Sequence, residues 1–83
     1  MKQLLSSPAQ LGLLLRSARR ARQLSQLEAA ARIGLSQSRL SELELDAASI
    51  TAAQLLALLA LYGIEILLSE KGDPPPSVSS QEW

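Results

Sequence analysis

An all-α fold of four short helices, followed by one C-terminal strand, is the architecture this chain predicts, and three observations point to it. The apolar residues make up 47% of the 83, yet they are nearly all Leu, Ala and Ile, with no Phe and only Tyr62 and Trp83 as aromatics. That composition favours helices around a thin core. Helix-start chemistry recurs along the chain, as Ser7-Pro8, Ser25 with Glu28, Ser36, and Thr51 with Gln54. Gly34 and Gly63 stand where apolar-periodic stretches end, as helix-stopping residues do.

The first helix starts with Ser7 as N-cap and Pro8 at the first helical position and continues to Arg22, burying a stripe of Leu11, Leu14, Leu15 and Ala18. Its arginines lie on the outer and flanking faces, where they either contact phosphate or are solvated surface. A second helix begins behind Ser25, whose side chain with that of Glu28 makes a capping box, and runs to Gly34. Ser36 caps the third. Ala30 is small where these two helices must approach, while Ile33, Leu35, Leu40 and Leu43 supply apolar contacts that set their crossing angle. This is the spacing of a helix-turn-helix. At about 100° per residue Gln37, Ser38, Ser41 and Glu42 share one arc, opposite Leu40 and Leu43, and such an arc can lie in a DNA major groove. An ordinary αα-hairpin explains the caps equally well, but Gln26, Ala30 and Gly34 at four-residue steps, followed by Leu40 and Leu43, favour DNA binding.

Asp46-Ala-Ala-Ser forms the next connection, and Thr51 with Gln54 opens a fourth helix that ends at Tyr62 before Gly63. Leu55, Leu56, Leu58, Leu59 and Leu61 surround this helix, so both of its faces are expected to be covered. Residues 64–69, IEILLS, alternate in the β manner. A lone strand leaves its backbone donors and acceptors unpaired, and no second strand exists elsewhere in the sequence. The same segment of a second copy, carrying Ile64, Ile66 and Leu68, is the simplest partner, which makes the protein a homodimer with a two-fold axis. Residues 1–72 are therefore the folded domain, and 73–83, rich in Pro and Ser, a disordered or polyproline-like tail. Trp83 stands at the end of that tail without a core to enter, and is expected to anchor a partner protein; a Trp that folds back on its own subunit is the alternative.

With no Cys and no His, thiolate metal sites and a histidine base near neutral pH are excluded, so no enzyme chemistry, metal or cofactor is expected. The net charge of zero hides a division. From Met1 to Leu40 seven basic residues stand against Glu28 alone, a net +6, and from Ser41 onward Lys71 stands against seven acidic residues, a net −6. A basic half that carries the helix-turn-helix fits DNA on one side and a different partner on the other. The N-terminus shows no secretory pattern, and residues 52–68 are too short and interrupted for a membrane span, so a cytoplasmic protein without membrane contact is expected.

Ser25-Gln26, Ala30, Gly34, Ser36-Gln37 and Leu40-Ser-Glu-Leu-Glu44 together resemble the Xre-type helix-turn-helix family of phage repressors and bacterial antitoxins. When the Ser-Pro start, the strand and the tail ending in Glu-Trp are included, the chain resembles the HipB-type antitoxins, which are encoded with a HipA serine/threonine kinase toxin. The resemblance implies a lambda-repressor-like domain, a dimer on a palindromic operator, repression of its own operon, and a HipA-like kinase toxin as partner. By matching positions, Ser36, Gln37, Ser38 and Ser41 face base edges and nearby phosphates, Gln26 meets the DNA backbone, and Arg39 is counted with them. Gln37, able to bond two sites on adenine, is the candidate for direct readout. The resemblance also implies an ion pair between Arg19 and Glu44. Gln23 and Asp46 stand where the family often has Gly, which implies a slightly different first turn at Gln23 and a left-handed helix end at Asp46. A repressor without a toxin partner and a helical interaction module without a nucleic-acid role remain the alternatives; salt-dependent binding to promoter DNA and the product of the adjacent gene discriminate among them.

Overall fold

The computed structural model describes residues 4–72, and within them the chain forms α1 (Pro8–Ala21), α2 (Gln26–Arg32), α3 (Gln37–Leu45), a 3-10 turn (Ala47–Ser49) and α4 (Ala52–Tyr62). Every α-helix starts on the cap its sequence offers. Ser7, Ser25, Ser36 and Thr51 accept from the backbone N–H three residues on, and Glu28 and Gln54 return the bond to complete capping boxes.

Three of the four helix ends use one turn geometry. The N–H groups of Leu24, Leu35 and Ile64 each reach back five residues, to the carbonyls of Arg19, Ala30 and Leu59. This bond pattern requires a left-handed residue just before the closing donor. Gly34 and Gly63 fill that position with φ of +75° and +73°, as glycine does without strain. In the first turn Gln23 takes it, with φ +58°, the only non-glycine of the described residues at positive φ. The first turn is therefore not altered by the missing glycine; Gln23 is forced into the glycine conformation. At Asp46 the expected left-handed end is replaced by extended backbone (φ −157°, ψ 115°), and its carboxylate accepts from Ala48 N–H to start the 3-10 turn.

Leu15, Leu40, Leu43 and Leu58 are fully buried, and Ala29, Ala30, Leu59 and Tyr62 complete the centre. Leu11, Ala18, Ile33, Leu35 and Ile50 close around it. One approach is closer than apolar packing alone demands. Gly12 of α1 faces the carbonyls of Leu43 and Glu44, and a Cβ built there would stand 2.7 and 2.8 Å from those oxygens. Glycine is what lets α1 lie on the end of α3.

Two expectations for the C-terminal part change in the single subunit. Leu56 remains 59% exposed, so α4 is covered on one side by the core and open on the other. Residues 64–70 have no strand partner among the described residues and form no regular structure, with Ile64 half-buried against the core and Leu68 90% exposed. Residues 73–83, with the tail and Trp83, lie outside the described residues.

Candidate nucleic-acid interface

Helices α2 and α3, joined by the Gly34 turn, display a polar face to solvent. Ser36, Gln37, Ser38 and Glu42 are exposed on it and Ser41 is half-buried, while Leu40 and Leu43 of the same helix point into the core. The Ser36 hydroxyl accepts from Arg39 N–H at 3.0 Å and so keeps its own hydrogen free to donate. Among the described residues neither Gln37 nor Ser38 uses its side chain in an internal hydrogen bond. Their donors and acceptors are available to a ligand.

Behind this face a buried network holds α3 to the rest of the molecule. Arg19 grips Glu44 in two-point fashion, Nε donating to Oε2 at 2.7 Å and a terminal nitrogen to Oε1 at 3.0 Å, while its other terminal nitrogen donates to the Leu24 carbonyl at 2.8 Å. Gln26 Nε2 adds a third donor to Glu44 at 3.0 Å. Both side chains of the pair are buried, and the bond to Glu44 raises the Arg19 pKa above its ordinary value, with the carboxylate's charge reinforcing it against the cost of burial. Gln26 is thus tied by its amide nitrogen into the network at the start of α2. Tyr62 closes the floor: its hydroxyl is buried without a partner among the described residues, and burial, then the nearby Glu44 charge, push its pKa up to about 12, Arg19 opposing in part.

Arg39 has a different place from its neighbours on α3. Its guanidinium donates to Glu42 at 2.6 Å, to the Ser49 hydroxyl and carbonyl at 2.9 Å each, and to Gln54 at 3.3 Å. It clasps α3 to the 3-10 turn and to the first turn of α4. Both of its terminal nitrogens are thus engaged within the subunit, one of them with Glu42 of the exposed arc. Composition and periodicity did not reveal this role, since Ser49 lies ten residues away and only the tertiary path returns it to α3. The close approach at Gly12 was missed as well, although a glycine inside a helical pattern is itself a signal for it.

Arg22 is likewise committed, its Nε donating to the Tyr62 carbonyl at 2.9 Å across 40 residues of sequence and its guanidinium lying over Gly63. A cation on the last carbonyls of α4 opposes the partial negative charge of that helix end. Beside Glu44 a recess of about 320 Å³ opens between α1 and α3, lined by Arg16, Arg20, Gln26, Ser41 and Leu45. No helix among the described residues is long and apolar enough to cross a membrane.

Comparison with known proteins gives the same architecture. A chain of a HipB-O4 20mer complex is similar at 24% identity with a TM-score of 0.74, over 84% of this chain and 99% of that one. A chain of a HipA-HipB-O2-O3 complex matches with the same values, and one of a HipB-O1-O2 complex at 25% identity and a TM-score of 0.73, over 83% of this chain and 100% of the other. No curated protein matches. The family model described as Helix-turn-helix matches residues 15–68, which span α2, α3, α4 and the second half of α1. With more than half of its length so matched, and with the capped helix pair in place, the chain belongs to this helix-turn-helix family.

Proposed function

We propose that the protein is a HipB-type antitoxin: a dimeric, sequence-specific DNA-binding repressor of its own operon that also binds a HipA-like serine/threonine kinase toxin. It acts in the cytoplasm and carries out no catalysis. The observation that carries this reading is the exposed polar arc of α3, backed by likeness along nearly the whole length of chains from HipB-O4 and HipA-HipB-O2-O3 complexes.

In this reading α3 enters the major groove. Gln37 bonds a base edge in two-point fashion, Ser38 and Ser41 contact neighbouring bases, and Ser36 donates its free hydroxyl hydrogen to a phosphate. Gln26 meets the backbone at the start of α2. Arg39 serves by holding α3 in register, and would reach phosphate only by leaving Ser49. Residues Ile64, Ile66 and Leu68 pair with the same segment of a second copy, and Trp83 anchors the toxin.

The test has two arms on the full chain. Footprinting on the DNA upstream of its own gene should reveal a palindrome whose occupancy falls steeply with salt. Co-purification should retain a kinase encoded beside it, and less of it once residues 80–83 are deleted. An asymmetric or salt-independent footprint would sink the repressor role, and a neighbouring product that fails to associate would leave a plain repressor.

A further inference from the structure

The arginines of α1 and of its C-cap are not equivalent, and the fold separates them. Arg19 is spent on Glu44 and Leu24, and Arg22 on Tyr62. Arg16 and Arg20 are exposed, one turn apart on the same face, and among the described residues neither has an ion-pair or hydrogen-bond partner. Two like charges at this spacing repel each other on a helix.

The recess they flank explains what could relieve that repulsion. Its only carboxylate is Glu44, whose Oε2 accepts from Arg19 and whose Oε1 accepts from both Arg19 and Gln26. That carboxylate is already neutralised, so the recess keeps the charge of two cations. Its lining also includes Ser41 of the exposed arc and Gln26 at the start of α2. Through Ser41 the recess adjoins the face that would meet DNA, and it is open to solvent, so a backbone phosphate can approach both guanidinium groups from outside.

We propose that Arg16 and Arg20 form a phosphate clamp on α1, which grips the DNA backbone beside the groove that α3 occupies and adds affinity without reading sequence. The inference rests on the DNA-binding reading above and assigns the contact that orients the domain on the duplex. Backbone contacts set register and carry no base information, and guanidinium groups suit them because they present paired donors to phosphate oxygens.

The experiment is a salt titration of binding to two duplexes, the footprinted upstream site and a scrambled duplex of equal length. The full chain, the double variant Arg16→Gln/Arg20→Gln and the single variant Arg32→Gln are compared, each first shown by thermal melting to fold like the parent. Exposed Arg32 lies at the far end of α2 outside the recess and controls for loss of bulk charge. Each lost phosphate contact lowers the log-log salt slope by about 0.9, so four per dimer remove roughly 3.6 units. The parent's advantage over the double variant should then shrink about 100-fold between 50 and 200 mM salt, alike on both duplexes. Arg32→Gln should change the slope by less than half as much per charge. An unchanged slope in the double variant, or an equal change per charge in Arg32→Gln, overturns the clamp while parental DNA binding stands. Failure of the parent to bind either duplex removes the DNA-binding reading and the clamp with it.

Discussion

At the scale of single residues, Gln37 and Arg39 are two positions apart on one helix and have opposite fates. Gln37 is exposed with its amide uncommitted, whereas Arg39 is bound to Glu42, Ser49 and Gln54. Gln37→Ala should therefore leave the thermal melt unchanged and relax discrimination at one base pair per half-site by about 1–3 kcal/mol. Arg39→Ala should lower the melting temperature and weaken binding to all sequences, with the salt slope unaltered. Unchanged base preference in the first variant, or a parental melt in the second, would reverse these assignments. Tyr62 offers a pH test. Its hydroxyl titrates near 10 when unfolded and is pushed up to about 12 in the fold, so it is neutral in both states below pH 10 and contributes no pH dependence there. Between 10 and 12 only the unfolded chain ionises, and stability should fall by about 1–3 kcal/mol. Denaturant melts from pH 9 to 12 should show that fall in the parent and lose it in Tyr62→Phe, which at pH 7 should be no less stable because it removes an unpartnered hydroxyl.

At the scale of elements, stability depends on how α1 meets α3. The Arg19–Glu44 pair spans this contact, and removing one partner strands a buried charge. Glu44→Ala should cost about 3–5 kcal/mol, a large share of the 5–15 kcal/mol typical of a folded domain, and circular dichroism should find it unfolded or nearly so at 37 °C. Replacing both partners, as Arg19→Met with Glu44→Met, should recover part of the loss, since the uncompensated charge goes with them. A parental melt for Glu44→Ala is incompatible with this account. Gly12 and Gln23 give a paired test of backbone against propensity. In an exposed helix Gly→Ala gains roughly 1 kcal/mol, but Gly12→Ala should lose about 1–3 kcal/mol because its Cβ meets the backbone of α3. Gln23→Gly should instead stabilise by up to about 1 kcal/mol by relieving a left-handed residue with a side chain. Equilibrium urea denaturation of the two variants should move in opposite directions.

At the scale of the whole molecule, exposed apolar residues occur at the N-terminal side, as Leu4, Leu5 and Leu13, at Leu27 and Leu45, and again in the C-terminal part of the described chain. Leu56, Ile66, Leu67 and Leu68 are exposed apolar residues on α4 and the segment that follows it. Pairing of residues 64–68 across a two-fold axis would cover backbone and side chains at once, and would hold the two α3 helices about one DNA turn, roughly 34 Å, apart. Sedimentation at micromolar concentration should give a dimer, and Ile66→Pro, which removes a ladder donor, should give a folded monomer with at least tenfold weaker operator binding. A parent that sediments as a monomer would defeat the pairing.

Local chemistry made much of this protein legible in its sequence. The four caps, the left-handed glycines and the division of α3 into a Leu side and a polar side all depend on residues within four or five positions of one another, so spacing alone reports them. The Arg19–Glu44 pair, separated by 25 positions, was reached only through resemblance. Tertiary structure alone decided which arginines are spent and which are free, why Gly12 must lack a side chain, why Gln23 takes a glycine conformation, and that Arg39 turns towards Ser49. Each of these depends on how one helix is rotated and how closely it lies against another. Those quantities are set by the packing of all the helices together, and no short stretch of sequence encodes them.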